Sequence, residues 1–164
     1  MINDNLENDS PKHHRIERLA FTPINHIWVP VLSNENTSYR FPEPITAFMR
    51  ADLRRPAIYR WCIAHPNGTT EYYIGETEEL CPRRFNHYLK PGRKQVTNLR
   101  LNELFSSLIH QGSTVTIEFL HFEPFSVGDL LINRDSLADN HVRRFLEELF
   151  VVLMKAKGDT LLNR

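Results

Sequence analysis

Ala57-Ile58-Tyr59-Arg60-Trp61-Cys62-Ile63-Ala64 and Glu71-Tyr72-Tyr73-Ile74-Gly75 stand on either side of Pro66-Asn67-Gly68. The first run is rich in β-branched and aromatic residues, which fit a pleated, half-buried surface. Pro-Asn-Gly is a strong turn signal, because Asn and Gly tolerate the backbone angles a tight reversal needs. The two runs therefore read as the strands of an antiparallel hairpin.

Working outward towards the C-terminus, Thr77 is expected to cap a helix carrying Leu80, Arg84, Phe85 and Tyr88, with Pro82 in its first turn and Pro91-Gly92 after its end. Thr97 or Asn98 then caps a second helix, in which Leu101, Leu104, Phe105 and Leu108 recur at helical spacing and Gly112 follows the last turn. Thr114 to Phe122 alternates as a third strand. A loop leads to Asp135 or Ser136, which begins the last helix. That helix runs to about Lys157, with Val142, Phe145, Leu146, Leu149, Phe150 and Leu153 as its apolar stripe. Hairpin, helix, helix, strand, helix is an α+β order.

Towards the N-terminus the pattern weakens. Residues 1–15 lack hydrophobic anchors and are expected to form a disordered tail. Residues 16–56 read as an extension. It has short extended pieces between Leu19 and Val31, a loop from Ser33 to Ser38, and a helix within Pro44–Asp52 that turns Ile45, Phe48 and Met49 inward. The main domain then covers residues 57–164.

The 164 residues carry 41% hydrophobic and 24% charged residues, ordinary globular usage, and a formal net charge of +0. Bulk charge therefore does not announce a polyanion partner. The distribution is uneven, however: between Cys81 and Asn102 there are six Lys and Arg residues and no Asp or Glu. One face can be positive while the sum is zero. Cys62 and Cys81 make neither a metal-ligand pattern nor a disulfide framework and read as reduced thiols of a cytoplasmic protein. No apolar run approaches the roughly 18 residues of a membrane span, and Met1–Ser10 does not resemble a signal peptide.

Ala57-Ile58-Tyr59 and Tyr73-Ile74-Gly75, followed by Arg84-Phe85, the basic Pro91-Gly92 loop, a glutamate inside the last helix and Asn163, resemble the GIY-YIG endonuclease superfamily. Ala57 replaces the first Gly of the name. The resemblance covers about Ala57 to Arg164. It implies a small three-stranded antiparallel sheet flanked by helices, with the leading residues as an N-terminal extension. It also implies a hydrolase: a metal-dependent DNA endonuclease of restriction or repair type using Mg2+ or Mn2+.

The roles implied are these. Tyr59 is the base that takes a proton from water, although a phenol with an ordinary pKa near 10 needs a cation beside it. Tyr73 positions or polarises the same water. Arg84 grips the scissile phosphate through its planar fork, with Tyr88 one helical turn later. Arg83, followed by His87, competes for that role. Glu147 is the metal ligand, at the edge of the apolar stripe, and Glu148 is its alternative. Asn163 steadies the site. Arg83, His87, Lys90, Arg93, Lys94, Asn98 and Arg100 are the expected DNA contacts. A palindromic target implies a two-fold homodimer. A second reading keeps the scaffold as a nucleic-acid-binding module that does not cut. No membrane role is expected.

Overall fold

The computed structural model describes residues 19–163. The tail read over residues 1–15 lies outside them. The expected hairpin is present as β4 (Ala57–Ala64) and β5 (Thr70–Thr77), paired antiparallel with Tyr59 opposite Gly75 and Trp61 opposite Tyr73. On its other side β4 pairs antiparallel with the strand Thr114–Phe122.

The sheet is larger than three strands, and it is not purely antiparallel. His26–Pro30 (β1) pairs antiparallel with Thr114–Phe122, and Thr160–Leu161 pairs parallel with β5. The expectation of a small three-stranded antiparallel sheet is corrected to a five-stranded mixed sheet plus two small two-stranded ones. The two additions are edge strands. Pro30 ends the first, as edge positions allow, because no ladder donor is required of it there. The second is only two residues long. Neither leaves the alternation that marks a strand in sequence.

The remaining elements, in chain order, are β2 (Leu32–Asn34), β3 (Thr37–Ser38), α1 (Ala47–Asp52), α2 (Phe85–Leu89), α3 (Val96–His110), β6 (Thr114–Phe122), β7 (Phe125–Val127), β8 (Leu130–Ile132), α4 (Asn140–Ala156) and β9 (Thr160–Leu161). The main sheet has the order β1-β6-β4-β5-β9. The segments read as loops at 33–38 and after Phe122 each contain a short hairpin, β2–β3 and β7–β8.

Alternation along β4 separates two cores. Tyr59, Trp61 and Ile63 face one layer with Phe85 and Tyr88 of α2 and Leu101 and Phe105 of α3. Ile58 faces the other, with Leu146, Phe150 and Met154 of α4. Val31, Tyr39, Phe41, Met49 and Leu53, all before Ala57, belong to the first core. Burying an aromatic or aliphatic side chain of this size contributes about 1.5–3 kcal/mol, so the leading residues add substantially to that layer. Phe48 does not join them and stays 41% exposed.

Helix boundaries depart from expectation for local reasons. Thr77 ends β5, and its hydroxyl donates to the Glu79 carbonyl instead of capping a helix. Cys81 is extended, as residues before proline tend to be, so Leu80–Arg84 is a kinked turn and regular helix begins at Phe85. The chain enters α3 at Val96 without a side-chain cap, because Gln95 instead accepts from the Gly92 N–H. The last helix is capped by Asp139, which accepts from the His141 N–H at 2.7 Å, while Asp135–Ala138 forms a separate tight turn.

The chain end is fastened by Asn163. Its amide Oδ1 accepts from the Ile74 N–H and its Nδ2 donates to the Ile74 carbonyl, both at 2.8 Å. One side chain thus continues the β5–β9 ladder. Asn163→Ala leaves both polar groups of the buried Ile74 backbone without these partners, and is expected to destabilise the fold by about 1–3 kcal/mol. Urea unfolding of the two proteins measures this. An unchanged midpoint would remove the clamp.

Candidate active site

Gly75 makes the site possible by what it lacks. A Cβ placed there would lie 2.4 Å from the Tyr59 hydroxyl oxygen. The Tyr59 ring therefore lies across the backbone of β5, and only glycine permits it. Its hydroxyl reaches past the strand and accepts from Arg84 Nε at 2.7 Å. The same hydroxyl meets the Tyr88 hydroxyl at 2.8 Å. Arg84 Nη2 donates to the Glu76 carbonyl at 3.1 Å. Arg84 is thereby aimed by two acceptors, which leaves Nη1 without a partner among the described residues. Its guanidinium also lies over the Tyr59 and Tyr88 rings, 5.5 and 5.6 Å from the centroids.

Burial works against the Arg84 charge, but the oxygens of Tyr59 and Tyr88 outweigh it and hold the guanidinium more firmly protonated than usual. Tyr59 is fully enclosed, with 0% exposure. Burial pushes its pKa up, and Arg84 only partly offsets that. Tyr88 is enclosed too and is shifted the same way by burial and by Tyr59. Tyr73 is half-buried. Its pKa is raised by burial, lowered in part by Arg84 and Arg100, and raised again by Glu147. Tyr73 is thus the phenol of the three that solvent reaches, and it stands within the field of Arg84, Arg100 and Glu147.

Glu147 comes from α4, on the opposite layer, and is half-buried. Its pKa is raised to about 7, first by burial and then by Glu76 and Glu148, with Arg84 and Arg144 opposing. Glu148 is exposed. Tyr59, Tyr88 and Arg84 are thus joined directly by hydrogen bonds beside Gly75, Tyr73 and Glu147 lie within the electrostatic reach of Arg84, and Asn163 binds β5 at Ile74. Arg83 points elsewhere, 59% exposed and 3.3 Å from Glu78.

Two residues of the site were absent from the sequence reading. Glu76 lies directly after Gly75, and its carboxylate accepts from Arg143 Nε at 2.6 Å. Arg143 is 6% exposed and also donates to the Leu137 and Ala138 carbonyls. It precedes Glu147 by one helical turn, on the same face. That spacing was the available signal. It is hidden because an arginine in an exposed-looking charge run reads as solvated.

Among the expected DNA contacts, Lys90, Arg93 and Lys94 are exposed around the α2–α3 connection, and His87, Asn98 and Arg100 are half-buried. Burial, Arg84 and then Arg83 lower the His87 pKa, which favours its neutral form. Asn102, also in this stretch, donates to the Tyr88 carbonyl at 2.6 Å and ties α2 to α3.

Among the described residues, no three of His, Cys, Asp and Glu form a ready cage for a metal ion. The donor set instead fits a hard cation that takes one carboxylate and keeps water and phosphate oxygens as its other ligands. Glu147, half-buried with Glu76 nearby, offers the single carboxylate that such a cation would take.

No family model, curated protein or solved structure matches this chain. Among the described residues, no helix is long and apolar enough to cross a membrane.

The Glu147 shift has a consequence for stability. A carboxyl whose folded pKa of about 7 exceeds its ordinary 4.5 binds its proton more tightly in the folded state. Its stabilising contribution is full below the ordinary value and is lost as pH rises through about 7. Glu147→Gln removes the titration. The melting temperature of the unaltered protein relative to this variant is expected to fall between about pH 5 and about pH 8. A constant difference across that range would place Glu147 in solvent.

Proposed function

We propose that this chain is a divalent-cation-dependent endonuclease that hydrolyses phosphodiester bonds in DNA, of the GIY-YIG type. One observation carries the reading: Arg84, hydrogen-bonded to Tyr59 beside Tyr88, lies within electrostatic reach of Tyr73 on β5 and of Glu147 from the other layer. Phosphodiester hydrolysis needs the phosphate charge neutralised, a water oriented and deprotonated, and the leaving oxygen assisted.

In this reading Arg84 takes the phosphate through Nη1, its Nε and Nη2 being already engaged. A guanidinium held from two sides loses little further freedom on binding. Glu147, with phosphate oxygens and water, would hold Mg2+ or Mn2+, which when bound would neutralise phosphate charge and acidify water. Tyr73 meets the attacking water. For Tyr59 to act as the base it first gives up its own proton to solvent, a loss that the Arg84 charge favours and burial opposes, and its phenolate then draws the water's proton through the Tyr88 and Tyr73 hydroxyls. The exposed Lys90, Arg93 and Lys94 hold neighbouring backbone phosphates.

The full burial of Tyr59, which keeps its phenol protonated, favours a second reading. In it the same scaffold binds nucleic acid and does not cut.

Supercoiled plasmid separates the two. With Mg2+ or Mn2+ the protein is expected to nick it. EDTA or Glu147→Ala should stop nicking while DNA binding persists. Tyr59→Phe and Tyr73→Phe should each slow it by about 10²–10⁴ with the fold intact. Nicking at full rate by Glu147→Ala would remove that carboxylate from its role. Binding with no nicking under any metal would favour the binding module.

A further inference from the structure

At the end of the sheet where β4 begins, a cavity of about 50 Å³ is lined by Arg55, Ala57, Phe119, His121 and Arg134, among others. Arg55 lies in the connection between α1 and β4, and Arg134 in the connection between β8 and α4. The Arg55 guanidinium is 4.9 Å from the centroid of the Phe119 ring, which seats it in the cavity wall. Among the described residues, neither arginine side chain has an ion-pair or hydrogen-bond partner. Burial and then Arg134 lower the Arg55 pKa, with Asp52 opposing in part. Two guanidiniums sharing a cavity repel each other unless an anion lies between them. Their planar forks suit a tetrahedral oxyanion approached from two directions, and the cavity exceeds what a single water needs.

We propose that Arg55 and Arg134 form a pocket for a phosphate group, separate from the Arg84–Glu147 cluster. Ala57, in its wall, stands two residues before Tyr59 on β4, so the pocket and the cluster are neighbours at one end of the sheet. Under the nuclease reading, on which this choice of source rests, the group is a further backbone phosphate of the bound DNA. The pocket would then join the leading residues of the chain to the DNA-binding face. A free phosphomonoester presents the same chemistry.

The test uses the full chain in EDTA, so that cleavage plays no part. Binding of a short labelled duplex is followed by fluorescence anisotropy across a salt series, and binding of inorganic phosphate by the shift in melting temperature. The variants are Arg134→Gln alone, in an exposed connection, and the double variant Arg55→Gln/Arg134→Gln. Lys157→Gln, at the far end of α4, is the charge-matched control for the single variant, and Lys155→Gln/Lys157→Gln for the double one. The double variant is expected to bind duplex about tenfold or more weakly at low salt, with the slope of log affinity against log salt smaller by about one for each phosphate released. The controls should not change. Loss of the phosphate-induced shift with duplex binding intact would keep the phosphate pocket and assign it to a free phosphomonoester. Duplex affinity, salt slope and phosphate shift all matching the control would overturn the proposal, and Arg134→Gln alone decides this if the double variant fails to fold. Absence of plasmid nicking refutes the nuclease reading and leaves these binding measurements standing.

Discussion

The hydrogen bond from Arg84 to the Tyr59 hydroxyl, laid across a bare glycine, governs the arrangement of the candidate site. At 2.7 Å it couples a cation to a phenol that has no exposure to water. Such a pair is costly unless most of each partner's remaining capacity is met, because an unpaired buried charge costs several kcal/mol. Here the Glu76 carbonyl takes a second Arg84 donor and Tyr88 completes the Tyr59 hydroxyl. Gly75 is the geometric condition, since any Cβ would occupy the space of the Tyr59 oxygen.

Glu76 is the joint between the two layers. Its main chain holds Arg84 from the α2 side, and its side chain holds Arg143 from the α4 side. Arg143 is in turn locked to the turn before α4 through the Leu137 and Ala138 carbonyls. A shift of α4, which carries Glu147, would therefore strain the same residue that aims Arg84. Positioning of this kind matters for any reaction that needs a cation and a carboxylate at a fixed separation.

The shifts of ionisation follow from one cause acting on different groups. Burial disfavours charge on Tyr59, Tyr73 and Glu147 alike. Arg84 counters it at all three and does not fully cancel it. The site is thus poised with neutral phenols and a carboxyl near its midpoint around neutrality, a state that an approaching cation or phosphate would redistribute.

Much of this molecule is legible along the chain. Strand alternation from Ala57 and from Thr114, the Pro66-Asn67-Gly68 turn and the last helix follow from local periodicity, and the structure has β4, β5, β6 and α4 there, although Phe145 and Leu153 of the expected stripe stay exposed while Val151 and Met154 are buried. Tyr59, Tyr73, Arg84 and Glu147 come forward in the sequence only through the resemblance of their motifs taken together, because each residue type is common on its own. What the chain alone does not carry is everything set by contacts distant in sequence. The places of the edge strands β1 and β9 in the sheet are set by the backbone that β6 and β5 offer them: Leu19–Val31 reads only as short extended pieces, and Thr160–Leu161 shows no pattern of its own. The separation of Arg84 from Arg83, and of Glu147 from Glu148, depends on which side chain the fold turns inward, a choice that one residue of helical rotation reverses. Enclosure of Tyr59 and the Glu76–Arg143 pair arise only when both layers close on the sheet, because burial is a property of the packed whole and not of any segment.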